Sequence, residues 1–213
     1  MHDDQIEWYE KTSAELAQQN GGEPVPALLF QHMPVPEEYQ LLREAKPAES
    51  AVAVKGHHIF SSKNYVLKSG VEGQYNEPIC SPCYNNGQFD SWKKMGDVRG
   101  AFFGHDHTND FAGYVDGIML AQCRGTGFNG YADGDRTGVR LIVLNENDLS
   151  TFETNTYMFR DFGLTSKSVS LVDSKLSNKQ KSTIAKATKI GVGVAAACAA
   201  TAVAVSKIKK KKD

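Results

Sequence analysis

Two stretches decide how this chain is read: residues 102–111, FFGHDHTNDF, and residues 30–39, FQHMPVPEEY. In each, a short apolar run ends at a histidine. Residues 101–103 are small or aromatic and read as a buried strand that stops at Gly104. His105 and His107 follow at i and i+2. In an extended chain such residues point to one side, with Asp106 to the other, so both rings would face one cleft. Gly104 keeps side-chain bulk off that cleft. Residues 26–32, PALLFQH, read as a second buried strand that delivers His32 to its carboxyl end, where open α/β sheets place their sites. A lone His32 would be a half-buried histidine bonded to backbone. Three imidazoles at the ends of two apolar runs outline a metal site.

Working outward, residues 5–19 carry Ile6, Tyr9, Leu16 and Ala17 near helical spacing and read as a surface helix that stops at Asn20-Gly21-Gly22. Pro34 and Pro36 stiffen the turn after His32, and Glu37 and Glu38 read as solvated helix-start acids. Residues 41–77 show little periodicity. Adjacent His57 and His58 diverge in helix and in strand alike, so they read as exposed loop histidines. Cys80-Ser81-Pro82-Cys83 has the spacing of a redox dithiol or half a zinc site, and with few other cysteines nearby a dithiol or local disulfide is favoured. Asn85 and Asn86 read as loop supports. Phe89, Trp92 and Met95, at steps of three, mark the core stripe of a short helix over 88–95.

Beyond the main motif, Asn109 and Asp110 are placed by the sequence to hydrogen-bond the histidine rings from behind, as metal-bound imidazoles require, or to cap a turn. Residues 117–123, 139–145 and 151–159 read as strands. Residues 125–130, GTGFNG, satisfy a dinucleotide-binding spacing, but turn-forming residues follow where that fingerprint needs a helix. The loop reads instead as the rim of the metal cleft, with Arg124 and Arg136 as surface charges or phosphate contacts.

At 213 residues and a formal net charge of -1, the chain hides a marked asymmetry. From residue 175 onward ten Lys face the single acid Asp213, a net of +9, so residues 1–174 carry -10. An acidic body excludes nucleic-acid binding through the globular part. Residues 1–160 read as the folded domain and 161–189 as a polar linker. Residues 190–206, seventeen in a row without a charge, read as a single transmembrane helix, and 207–213 as a basic tail. The packed lysines of that tail put it on the cytoplasmic side, and the body on the outside of the membrane.

Residues 103–110, FGHDHTND, resemble the terminal Gly-His-x-His motif of the calcineurin-like metallophosphoesterases, the group that includes the purple acid phosphatases. Residues 30–39 resemble that family's penultimate motif, a strand ending in a metal-binding histidine before a proline-rich turn. The resemblance covers residues 5–157 and implies an α/β fold, the C-terminal half of a four-layer α/β/β/α sandwich. It also implies two divalent ions (Fe, Mn or Zn), His32 and His105 binding one and His107 the other, that activate water for attack on a phosphate ester. The family's Asp-x-His, Gly-Asp-x-x-Asp and Gly-Asn-His motifs do not occur here, so the bridging carboxylate and the proton donor to the leaving group have no counterpart. Weak metal binding and little turnover are therefore expected of the chain by itself. Two other readings are a membrane-anchored remnant without activity and a redox module using Cys80 and Cys83.

Overall fold

The computed structural model describes residues 1–128, 130–164, 183–185 and 187–188. In chain order its helices and strands are α1 (Asp3–Gln19), β1 (Ala27–Gln31), β2 (Leu42–Glu44), β3 (Val54–Lys55), β4 (Asn64–Leu67), α2 (Gln88–Met95), β5 (Val98–Phe103), β6 (Ala112–Val115), β7 (Ile118–Gln122), β8 (Gly138–Asn145) and β9 (Asp148–Met158). The protein is mixed α/β. Its main sheet has the order β1-β5-β7-β6, with β1, β5 and β7 parallel and β6 returning antiparallel on β7.

β5 is the strand around which the rest packs. It is flanked on both edges, and five of its six residues are buried, so it tolerates almost no polar side chain. Alternation splits its side chains between two faces. Ala101 and Phe103 join Phe89 and Trp92 of α2, together with Leu120 of β7, in the hydrophobic core. Phe89 and Trp92 are each 1% exposed, which at about 1.5–3 kcal/mol per large apolar side chain makes α2 a main source of stability. α1 packs on α2 and is tied to the start of β5 by a hydrogen bond from the Tyr9 hydroxyl to Asp97. On the other face Gly100 and Phe102 meet the β8–β9 hairpin. The Phe102 and Phe152 rings stand edge to face at 5.8 Å, and a Cβ on Gly100 would strike the Phe152 ring.

The strand ending at His32 is less enclosed than its sequence implies. β1 is an edge strand among the described residues, paired only with β5, and Phe30 stays 65% exposed while its ring stacks on Phe102 at 5.2 Å. An apolar run records what a side chain can tolerate and not whether a second neighbour is present. The illegible segment 41–77 holds a small antiparallel sheet, β2-β4-β3, whose strands are too short to show a period. No helix among the described residues is long and apolar enough to cross a membrane. The transmembrane reading of 190–206, the basic tail and most of the linker lie outside the described residues.

Candidate functional site

The parallel register of β1 on β5 pairs Gln31 with Phe103, and the ladder continues one step further. The Gly104 N–H reaches the His32 carbonyl at 3.1 Å, so His32 emerges beside Gly104. A Cβ on Gly104 would lie 3.3 Å from His32 Nδ1, tighter than ordinary contact, so the missing side chain leaves room for the ring. Gln31 steadies the turn, its amide donating to the Met33 carbonyl at 2.7 Å and accepting from Gln88 at 2.6 Å. His32 faces a cavity of about 300 Å³ whose walls include Pro34, Tyr84 and Asn85.

Past Gly104 the chain is not extended. The Asp106 N–H donates to the Gly104 carbonyl at 2.8 Å across His105, whose φ is +68°. That is a γ-turn of the rarer positive-φ hand, a strained conformation for a residue with a side chain. The turn brings the His105 ring to 5.2 Å from the His32 ring, centroid to centroid, and leaves His105 Nδ1 buried without a hydrogen bond. The rule that places i and i+2 on one side holds for extended chain and does not apply across this turn. His107 turns to the glycine-rich loop. Its ring stacks on Tyr131 at 4.0 Å and 3° between planes, and its Nδ1 is 2.7 Å from the Tyr131 carbonyl oxygen. Cβ atoms on Gly125 and Gly130 would touch His107, so this loop does line the His107 side of the site.

The hydrogen bonds behind the histidines differ from those read in the sequence. Asn109 and Asp110 are buried and bond to groups other than the rings. Asn109 Oδ1 accepts from the Asn76 and Glu77 N–H groups, and Asp110 accepts from the Gln74 N–H and from Arg124. Both clamp the 74–77 segment under the motif, and the group that orients His107 is the Tyr131 carbonyl. Arg124 and Arg136 are buried too, and Arg124 pairs with Asp110 at 2.7 Å and Asp133 at 3.4 Å. Asn85 and Asn86 do brace loops, reaching Glu37 and the Met1 carbonyl.

Three acids lie close to the motif. Asp106 accepts from the Cys80 N–H and from Asn109, and burial, reinforced by the charge of Glu77, pushes its carboxyl up to about 7. Glu77 accepts from the Thr108 N–H and hydroxyl. Glu38, read above as solvated, is fully buried. Its Oε2 accepts from Gln122 Nε2 at 2.7 Å, its Oε1 has no partner, and burial raises its carboxyl well above the usual range. A signal for this was present. Val35, Glu38 and Leu41 recur at steps of three, which is one face of the 3-10 turn Pro36–Leu41, and all three are buried. His57 also departs from its exposed-loop reading. It is half-buried, its Nδ1 lacks a partner, and burial, His58 and then His105 hold its ring below the usual range. Cys80 and Cys83 are free thiols, and burial together with Asp106 and Glu77 pushes the Cys80 thiol up, opposite to what a reactive redox thiol needs.

An ion at a catalytic site normally takes at least three protein ligands. Among the described residues no group of three or more His, Cys, Asp or Glu side chains is placed to hold a metal ion. The adjacent His32 and His105, with Asp106 Oδ1 3.4 Å from His105 Nδ1, fit one corner of such a site and do not fit a complete pair of ions.

Over about two thirds of its length this chain is similar to purple acid phosphatase-like proteins, which belong to the calcineurin-like metallophosphoesterase superfamily. Three such proteins are from Arabidopsis thaliana. The probable inactive purple acid phosphatase 14 is 31% identical over 145 residues, covering 65% of this chain and 30% of the relative. The probable inactive purple acid phosphatase 29 is 28% identical over 147 residues, 66% of this chain and 32% of the relative. The probable inactive purple acid phosphatase 28 is 28% identical over 131 residues, 62% of this chain and 27% of the relative. The matched part of this chain thus spans under a third of the length of these relatives. No family model and no solved structure matches the chain.

Proposed function

We propose that this chain provides the histidine-bearing part of a phosphoester-hydrolase site in the C-terminal half of a four-layer sandwich, with His32, His105 and His107 as imidazole donors to divalent metal ions and a phosphate ester as ligand. The observation that carries the reading is the meeting of His32 and His105 at the carboxyl ends of two paired parallel strands, with His105 held in a strained turn and its buried Nδ1 making no hydrogen bond, Asp106 Oδ1 standing off at 3.4 Å. Strain of this kind collects at functional positions. The family of the relatives supports the same class.

Neutral imidazoles balance none of an ion's charge. The nearby Asp106 and Glu77 already accept N–H groups of the loops that position the motif. Metal binding by this chain alone is accordingly weak and turnover low. A second reading, a membrane-anchored remnant that binds a phosphoester without turnover, is favoured by the word inactive in the relatives' names.

The test is binding of Mn²⁺ and Zn²⁺ by titration calorimetry and hydrolysis of an aryl phosphate, on the full chain and on His32→Ala, His105→Ala and His107→Ala. Each substitution is expected to weaken metal binding by about tenfold or more. Affinity unchanged in His32→Ala and His105→Ala would refute the site. Turnover above the His105→Ala background selects the hydrolase, and binding without turnover selects the second reading. Membrane attachment through 190–206 belongs to the same proposal, and release of the full chain from membranes by alkaline carbonate would remove it.

A further inference from the structure

A second cavity, about 500 Å³, opens between β6 and the inner face of the β8–β9 hairpin and includes none of the three site histidines in its walls. Its chemistry is set by Arg140. The Nε of Arg140 donates to the Gln122 carbonyl at 3.2 Å, Nη1 to Thr154 Oγ1 at 3.4 Å and Nη2 to the Asp110 carbonyl at 2.5 Å, and the Cys123 thiol lies against the group. A guanidinium carries five N–H donors and stays charged in proteins. With Cys123 as a fourth acceptor, one donor is left over, and no carboxylate among the described residues lies within ion-pairing distance of Arg140. The Asp110 carboxylate, which lines the cavity and acts electrostatically on Arg140, is paired with Arg124.

Directly across the hairpin from Arg140 stands Thr156, so the two side chains share the face that lines the cavity. The Thr156 hydroxyl is buried and has no hydrogen-bond partner. The Gln74 amide lines the same wall. A half-buried cation with a spare N–H and an unused hydroxyl, side by side on the face that lines the cavity, match a tetrahedral oxyanion, whose oxygens accept from the planar fork and, once the Thr156 side chain rotates to uncover its oxygen, from the hydroxyl. Glu72, exposed at the rim, opposes an anion and sets an upper limit on affinity.

We propose that this cavity is a binding site for a small oxyanion of the phosphate class, held by Arg140 and Thr156 and separate from the histidine site. The ligand is either free inorganic phosphate or the phosphoryl group of an ester. The experiment is calorimetric titration of the full chain with inorganic phosphate, and in parallel with phenyl phosphate, both in excess EDTA so that metal-bound phosphate makes no contribution. Binding in the millimolar range is expected from one charged fork and one hydroxyl. Thr156→Val, of nearly the same shape, is expected to weaken it about fivefold. Arg140→Lys, which keeps the charge and loses the fork, is expected to weaken it about tenfold or more. Glu72→Gln tightens it, and His105→Ala leaves it unchanged. Comparable affinity for both probes means the cavity admits an ester, and loss of phenyl phosphate alone means it takes the free anion. No binding at about 50 mM phosphate, equal affinity in the wild type and Thr156→Val, or loss of binding in His105→Ala would each overturn the proposal. Should Arg140→Lys fail to fold, Thr156→Val still decides.

Discussion

Replacing Glu38 by Gln changes one atom in the core and isolates a single proton. Burial keeps the Glu38 carboxyl protonated well above its ordinary 4.5, while the unfolded chain gives that proton up near 4.5. The native state therefore binds one proton more than the unfolded state above that pH, and stability falls as pH rises. For one proton the slope is about 1.4 kcal/mol per pH unit, and it persists until the native carboxyl itself ionises. Asp106, pushed up to about 7, adds a second proton over a window that closes near that pH. The wild type should thus lose up to about 2.8 kcal/mol per unit between roughly pH 5 and 6, and Glu38→Gln about half as much. The hydrogen bond from Gln122 survives the substitution, because a Gln carbonyl accepts as the carboxyl did. Urea unfolding between about pH 5 and pH 8, followed through the buried Trp92, measures both slopes. Parallel pH profiles in the two proteins would refute the reasoning, since they would mean that Glu38 is ionised in the folded protein.

Gly138→Ala would bring a Cβ against the Tyr157 carbonyl oxygen closer than real Cβ atoms come, and should cost about 1–3 kcal/mol or more in denaturant unfolding, whereas Gly127→Ala, with nothing within 4 Å, should stay within about 0.5 kcal/mol of wild type. Both His105→Gly and His105→Ala remove the imidazole, but only Gly takes a φ of +68° without strain, so the Gly variant should be the more stable of the two by about 1 kcal/mol. Exposed Cys83 should react with iodoacetamide faster than Cys80, whose thiol is less accessible and pushed up, and peptide mass spectrometry after brief labelling at mildly alkaline pH reads the ratio.

Wherever one periodicity ran for six or more residues, the elements were legible. The stripe of Phe89, Trp92 and Met95 marks α2 over the span it occupies, and the apolar 117–123 and 139–145 runs land on β7 and β8 within a residue. β6, four residues long, had too little pattern to see, and the same holds for β2 to β4. At the site, the register of two parallel strands carried the His32–His105 meeting, because position along each strand fixes which ends coincide. Tyr131 lies 24 positions from His107 in a loop, and no spacing rule connects such residues. Asn109 and Asp110 were placed by residue type alone. Which way they faced depended on where the 74–77 segment ran, and nothing local encodes that.

The γ-turn at His105 is built from the Asp106 N–H and the Gly104 carbonyl, and the imidazole contributes nothing to it. Selection for folding alone accordingly exerts no hold on that histidine, and a glycine there would relax the backbone. Side chain and architecture are separable at this position, so the histidine could be exchanged and the turn kept unchanged.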